Sequence, residues 1–184
     1  MKALIVAHPD DEVIWFPSKY FDLIVIAFLA RHDKPYAALC RRLALQEHPL
    51  KERILLLEID ESGYWKDKTR EQQFNEAKIN LYHSLLELKD KYTFTEIFTH
   101  NSVGEYGHSD HILVHELVKK VFCGSKIFCP AIPETRLKNY NYVSMNSDIE
   151  FYNETKDIYI KNKAWTWKID YVPPKELIFH LNEN

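Results

Sequence analysis

The chain has 184 residues, of which 46% are hydrophobic and 14% aromatic, and its net charge is -3. This composition predicts one globular domain over residues 1–184 and excludes an intrinsically disordered chain. The acidic balance argues against a nucleic-acid-binding surface, and no apolar run is long enough to span a membrane.

The cysteine and glycine content narrows the possible classes of protein further. The three cysteines, Cys40, Cys123 and Cys129, include no C-x-x-C pair, and no signal peptide precedes the first apolar run. We therefore expect a cytoplasmic protein with reduced thiols. The chain has no G-x-G-x-x-G or Walker loop, so the usual nucleotide-binding signals are missing. The sequence does not determine the oligomeric state.

Five continuous apolar runs alternate with helical patterns. Runs of this length without polar alternation are typical of strands buried on both faces, as in a parallel sheet. The predicted strands are 2–7, 22–29, 53–59, 94–99 and 126–129. The alternation favours an α/β fold with a doubly wound sheet.

Helices are predicted between these strands, at 34–47, 69–91 and 110–122. The second has apolar residues every three or four positions and begins with Thr69 and Gln72 in the spacing of a capping box. Ser109 is the expected N-cap of the third. The last forty residues contain short β-like pieces such as 157–161, which predict an antiparallel or irregular extension.

The first strand runs directly into H-P-D-D-E, residues 8–12. Ligands of open parallel sheets bind at the carboxyl ends of strands, and Pro9 keeps His8 extended. Repulsion should turn Asp10 and Asp11 apart, so that one carboxylate binds a metal and the other stays free for proton transfer. The alternative is an acidic turn beside a surface histidine.

A second polar stretch, residues 99–111, follows the fourth strand. Gly104 and Gly107 allow a sharp bend there. His111 falls in the first turn of a helix, where the dipole disfavours imidazolium and keeps a nitrogen lone pair available. The alternative is a polar loop with capping residues.

Together the two loops offer His8, Asp11 and His111, a His-Asp-His set that leaves one position for water, as in catalytic zinc sites. A metal pair of His111 with His115 on one helix face is the weaker alternative. The other histidines lack a partner pattern and are expected at the surface or locally satisfied; they are His32, His48, His83, His100 and His180.

A-H-P-D-D-E at 7–12 and Y-G-H-S-D-H at 106–111 together resemble the motifs of the PIG-L/LmbE family of zinc-dependent N-deacetylases. The second family motif is usually H-P-D-H, and Ser109 stands here in place of proline. The resemblance extends to the fifth predicted strand. It implies a Rossmann-like three-layer sandwich and hydrolysis of an N-acyl group, usually acetyl, from an amino sugar such as an N-acetylglucosamine conjugate.

The resemblance also implies a role for each motif residue. His8, Asp11 and His111 would bind Zn²⁺, and Asp10 would be the general base. His108, protonated, would stabilise the oxyanion and deliver a proton to the leaving amine. Fe²⁺ or another divalent ion is an alternative cofactor, because such a ligand set does not select strongly.

Two further motif residues receive supporting roles from the resemblance. Asp110 would orient a metal-binding histidine from behind. Tyr106 resembles a tyrosine that contacts the reacting carbonyl in some members.

For each of the other residues near the motifs, the sequence leaves two alternative roles open. Trp15 stacks on a sugar ring or lies in the core, and Glu12 contacts substrate or braces the loop. Arg41 and Arg42 bind a hydroxyl or phosphate, or lie on a solvated helix face.

The leading function is metal-dependent removal of an N-acyl group from a small amino-sugar conjugate. The alternatives are an amidase for a non-sugar substrate and a non-catalytic metal-holding or glycan-binding module.

Overall fold

The computed structural model describes residues 1–132 and 141–181, and within them seven strands form one mixed sheet. The strands are β1 (Lys2–Val6), β2 (Leu23–Ala30), β3 (Ile54–Asp60), β4 (Glu96–Thr99), β5 (Lys126–Pro130), β6 (Tyr142–Asn146) and β7 (Glu176–Leu181). Their spatial order is β3-β2-β1-β4-β5-β7-β6. The first five pair in parallel and the last two antiparallel. The predicted mostly parallel sheet with an antiparallel extension is therefore confirmed.

Helices cover both faces of the sheet. They are α1 (Asp11–Ile14), α2 (Pro35–Glu47), α3 (Glu71–Lys91), α4 (Gly104–Gly107), α5 (Ser109–Val121) and α6 (Ile149–Lys161). Short 3-10 turns lie at Ser18–Tyr20 and Lys51–Arg53. None of the helices in the described residues is both long and apolar enough to cross a lipid bilayer.

The residues of β1 show why the fold has three layers. Ala3 and Ile5 pack into a core shared with α3 and α5. Leu4 and Val6 pack on the other face into a core shared with α2 and α6. Because successive strand residues point to opposite faces, an unbroken apolar run fits a strand covered on both sides. This explains why continuous hydrophobicity located the strands correctly.

The three predicted helices are confirmed, but both predicted N-caps are wrong. Arg70 is the N-cap residue of α3 without a side-chain cap, and the Thr69 hydroxyl instead donates to Asp67. At α5 the cap is His108, whose Nδ1 accepts the Asp110 backbone N–H at 3.2 Å. Ser109 is the first helical residue.

The β-like reading of residues 157–161 is also wrong, because this piece forms the end of α6. The buried residues of this helix follow helical spacing over a longer window: Phe151, Tyr152, Thr155 and Tyr159. A five-residue window was too short to reveal this period. Part of the tail, at 133–140 and 182–184, lies outside the described residues.

The sheet order creates a crevice between β1 and β4. These strands are hydrogen-bonded neighbours, with Ile5 opposite Thr99. From β1 the chain continues to β2 on one side, whereas from β4 it continues to β5 on the other. Ligands of open α/β sheets bind where the strand order reverses in this way. Both polar loops begin at this point.

Candidate active site

The two loops bring the predicted metal ligands together around one carboxylate oxygen. Asp11 Oδ2 lies 3.4 Å from His8 Nδ1 and 3.4 Å from His111 Nε2. The His8 backbone N–H donates to the same oxygen at 2.8 Å. All three side chains are buried. His100, which the sequence analysis placed at the surface or in a local contact, is also buried here, with Nε2 3.4 Å from Asp11 Oδ2.

Hydrogen bonds separate His111 from His100 as possible metal ligands. His111 Nδ1 lies 2.6 Å from Glu105 Oε2, and its buried Nε2 has no hydrogen-bond partner among the described residues. His100 Nδ1 also bonds Glu105, but its Nε2 already accepts the Ala7 backbone N–H at 2.9 Å. A metal needs a nitrogen lone pair, so His111 is the better ligand of the two.

His8 has an acidic partner on each ring nitrogen. Nε2 lies 3.2 Å from Asp110 Oδ2, on the side opposite Asp11. Burial opposes the charged imidazolium, but the bonds to Asp11 and Asp110 raise the pKa of His8 to about 10. The cluster therefore favours a positive charge at this point. The histidine that Asp110 contacts is therefore His8.

These contacts bear on whether the residues present fit a metal ion. Three groupings of side chains in the described residues lie at mutual ligand distances: His8 with His108 and His111, Asp11 with His100 and His111, and His8 with Glu61 and Asp110. His115 belongs to none of the three, and its Nδ1 bonds the His100 carbonyl at 2.8 Å. Buried imidazoles and carboxylates with an unsatisfied inward nitrogen fit a divalent cation such as Zn²⁺.

Asp10 stands apart from this cluster. Its backbone is left-handed, with φ of 89°, a conformation that Asp tolerates better than most residues. The turn carries its side chain away from Asp11, so that Oδ2 accepts the Thr166 backbone N–H at 2.8 Å and the Thr166 hydroxyl at 2.7 Å. Burial and the charge of Asp11 raise the pKa of Asp10 to about 8. The two adjacent acids therefore have different environments, which suits different roles.

His108 differs from its expected state. Burial, with His8 and His111 close by, lowers its pKa to about 3. Nδ1 accepts the Asp110 N–H, so the neutral ring carries its proton on Nε2. The ring stacks on Trp65, with centroids 5.1 Å apart. His108 is thus a neutral donor in this structure, where the resemblance implied a protonated one.

Glu12 has bracing contacts. It is fully buried, with Oε2 accepting the Asp10 N–H at 2.9 Å and Oε1 accepting the Tyr159 hydroxyl at 2.8 Å. Its backbone carbonyl accepts the Ser18 hydroxyl. These bonds tie the loop after β1 to α6, which is the bracing alternative of the sequence analysis.

A cavity of about 380 Å³ opens beside the cluster, and aromatic residues form one wall of it. Tyr106 and Trp15 both line it, with ring centroids 6.4 Å apart. Trp65 and Trp167 complete this wall, with Trp167 4.9 Å from Tyr106. Trp15 is partly buried, so it contacts both cavity and protein.

The two arginines of α2 differ from each other. Arg41 is buried and lines the cavity, where its Nη1 donates to Glu61 Oε2 at 2.7 Å. The interpretation of Arg41 as part of a solvated helix face is therefore wrong. Arg42 is exposed and pairs with Glu58, so it does lie on a solvated helix face.

The loop from β4 to α5 depends on both predicted glycines. Gly104 and Gly107 have φ of 64° and 92°. A Cβ on Gly104 would lie 2.9 Å from the Ile112 side chain, so this position excludes larger residues. Glu105, which has φ of 58°, is thereby placed against both His100 and His111.

Several site residues had no signal in the sequence. His100 and Glu105 lie inside the second motif stretch, so their position next to the ligands was the one available hint. Thr166 and Trp167 follow α6 in a segment with no recognisable motif, and Trp65 lies in the loop after β3.

No protein-family model matches this chain, and neither does any curated protein. Solved structures with a similar fold include several deacetylases. The deacetylase of the antimicrobial A40926 pseudoaglycone has a TM-score of 0.65 at 9% identity, covering 98% of this chain and 96% of that one. The zinc-inhibited form of a teicoplanin deacetylase also has a TM-score of 0.65, at 10% identity, covering 98% and 97%.

A teicoplanin deacetylase in complex with teicoplanin is similar as well. Its TM-score is 0.62 at 12% identity, with 98% of each chain covered. Because the sequence identities are this low, the structural likeness shows a shared fold alone. The chemistry must therefore be argued from the site.

Proposed function

We propose that this protein is a metal-dependent hydrolase that removes an N-acyl group, with acetyl as the first choice, from a small amino-sugar conjugate. The observation that carries the proposal is the convergence of His8, Asp11 and His111, with the inward nitrogen of His111 unsatisfied. The resemblance to PIG-L/LmbE deacetylases and the deacetylase fold neighbours support the reaction type.

The residues that would hold the ion are His8, Asp11 and His111. The chemistry that a divalent ion supplies when bound is Lewis acidity toward the amide carbonyl and acidification of water. Glu105 and Asp110 bond the outer nitrogens of the two histidines and so fix their orientation.

Asp10 is the general base of this proposal. Thr166 holds Oδ2 with two hydrogen bonds, whereas Oδ1 has no hydrogen-bond partner among the described residues. Oδ1 can therefore take a proton from the attacking water. A pKa raised to about 8 lies near the operating pH, where general bases are most effective, and such bases contribute about 10²- to 10⁴-fold.

His108 donates its Nε2 proton in a hydrogen bond to the developing oxyanion. Because its pKa is lowered to about 3, it has no second proton to give at neutral pH. The proton that Asp10 has accepted is then the one returned to the leaving amine. Losing a comparable oxyanion donor costs about 10²- to 10³-fold in kcat.

The aromatic wall supports a sugar as substrate. Trp15, Trp65, Tyr106 and Trp167 line the cavity beside Asp10 and His108. Apolar faces with a few convergent polar groups are typical of small-molecule sites.

The test is amine release from two acyl panels, N-acetylglucosamine conjugates and N-acetyl amino acids, by zinc-loaded protein. We expect release from the sugar panel, lost in Asp10→Asn with zinc content unchanged. His83→Asn, an exposed change on α3, is the matched control. Release from amino acids alone would favour the non-sugar amidase, and zinc binding without any release would favour the binding module.

A further inference from the structure

A buried histidine, His48, takes no part in the proposed chemistry. It is the C-cap residue of α2, and only 1% of its surface is exposed. Its ring packs edge to face against Phe151 of α6, with the centroids 6.0 Å apart. Tyr159 of the same helix lies 6.3 Å away, also edge to face. The imidazole is therefore enclosed between the end of α2 and α6, where both of its nitrogens need polar partners.

The contacts of His48 fix where its proton lies. Nδ1 accepts the Leu50 backbone N–H at 3.0 Å. Because a neutral imidazole that accepts at one nitrogen carries its proton on the other, Nε2 is the donor. Nε2 lies 3.4 Å from Glu12 Oε1 and is buried, without a hydrogen-bond partner among the described residues. This N–H therefore faces a carboxylate, and their attraction is electrostatic and strengthened by burial.

The Glu12 carboxylate receives two shorter contacts as well. Oε1 accepts the Tyr159 hydroxyl at 2.8 Å, and Oε2 accepts the Asp10 backbone N–H at 2.9 Å. A buried carboxylate is costly unless donors surround it. The donors come from three segments, since Asp10 belongs to the loop after β1, Tyr159 to α6 and His48 to the end of α2. Glu12 is thus held between elements that are distant in sequence.

The bond from Asp10 to Glu12 bears on the direction of the Asp10 side chain. Asp10 has φ of 89°, a left-handed conformation that residues other than glycine rarely keep unless contacts hold them there. Glu12 holds the Asp10 backbone N–H, and Thr166 holds the Asp10 carboxylate. A shift of Glu12 would therefore loosen the turn that points Asp10 away from Asp11.

We propose that His48 is a positioning residue for the general base. Its Nε2–H fixes the Glu12 carboxylate, and Glu12 in turn fixes the backbone of Asp10. This inference rests on the proposed function, since it gives the general base a second support in addition to Thr166. His48 does not line the cavity beside the metal centre, so its loss should affect turnover rather than substrate binding.

Two substitutions separate the two polar contacts of His48. His48→Asn keeps an acceptor for the Leu50 N–H near the position of Nδ1 but leaves no donor facing Glu12. His48→Gln keeps a donor near the position of Nε2 but gives up the Leu50 contact. With methyl N-acetylglucosaminide as substrate, zinc-loaded His48→Asn should lose about fivefold or more in kcat, with KM and zinc content unchanged. His48→Gln should stay within about twofold of the wild-type kcat.

An exposed histidine of α3 provides the matched control, because His83→Asn should keep the wild-type kcat. If His48→Asn retains kcat, or if His48→Gln falls as far as His48→Asn, the contribution of His48 is to the fold alone and the proposal is overturned. A rise in KM or a loss of zinc in His48→Asn overturns it as well.

Amide hydrogen exchange separates this inference from the hydrolysis itself. In zinc-loaded, isotope-labelled protein, the Asp10 amide should exchange about fivefold faster in His48→Asn than in wild type or His48→Gln. The Ile5 amide of β1 should exchange equally in all three. If no substrate releases amine, the hydrolase proposal fails, but faster exchange at Asp10 alone still supports the hold of His48 on this turn. Unchanged exchange at Asp10, or faster exchange at Ile5 as well, overturns that hold.

Discussion

Thr166 bonds the same Asp10 oxygen twice, through its backbone N–H at 2.8 Å and its hydroxyl at 2.7 Å. The hydroxyl is the part of this contact that mutation can remove. Thr166→Val should lower kcat about tenfold or more, because one charge-assisted hydrogen bond that fixes Asp10 is lost. KM and zinc content should change little.

Thr166→Ser is the matched control, since it keeps the hydroxyl. Steady-state amine release and metal analysis of both variants test this positioning role. The role is wrong if Val behaves as wild type, or if Ser is as impaired as Val.

Oε2 of Glu105 lies within hydrogen-bond distance of Nδ1 of both His100 and His111. Its other oxygen, Oε1, accepts the Asn101 backbone N–H. A glutamine has one acceptor oxygen and cannot satisfy both sides. Glu105→Gln should therefore weaken zinc affinity about 10- to 100-fold. Competition with a chelator measures this change, and Glu116→Gln, an exposed change on α5, should leave the affinity unchanged. Equal affinities for the two variants would contradict the orienting role.

Tyr159 is fully buried and donates its hydroxyl to Glu12. Tyr159→Phe should lower the free energy of unfolding by about 1–3 kcal/mol, because a buried carboxylate loses a partner. Urea unfolding measures the change. Tyr36→Phe, an exposed change on α2, provides the comparison. A Phe variant as stable as wild type would mean that Glu12 needs no such brace.

Glu61 predicts a pH dependence of stability. Burial alone would raise its pKa, but His8, Arg41 and Arg31 lower it to about 2, from an ordinary 4.5. A lowered folded-state pKa contributes stability that is fully present above pH 4.5 and is lost as the pH falls toward 2.

Glu61→Gln should therefore cost about 3 kcal/mol at pH 7 and flatten the loss of stability between pH 4.5 and pH 2. Urea unfolding at pH 7, 4.5 and 3 tests this. Glu58→Gln, at an exposed pair with Arg42, should keep the wild-type slope. Parallel profiles for wild type and Glu61→Gln would refute the assignment.

The strands and the meeting of the two motif loops could be predicted because their signals are local. Apolar runs such as Leu23–Ala30 reflect burial on both faces, and His8 and Asp11 belong to one short motif. Strand ends at a switch point meet by the geometry of the sheet, so His111 could be placed near them without knowledge of side chains.

The rest of the site depends on tertiary contacts. Thr166 lies 156 positions after Asp10, in a segment that has no recognisable motif. His100 resembled an isolated histidine, because its role arises from Glu105 and from the Ala7 N–H, neither of which is a spacing pattern. Arg41 was misassigned because burial of a cation depends on Glu61, in a loop that sequence periodicity does not place.

The contact between Thr166 and Asp10 has a consequence for synthesis of the protein. Translation delivers His8, Asp11 and His111 well before position 166 emerges from the ribosome. Asp10 therefore lacks the partner that fixes its Oδ2 until the segment after α6 has been synthesised. In the proposed mechanism, the general base is thus completed by the last third of the chain, after the residues of both motifs are already present.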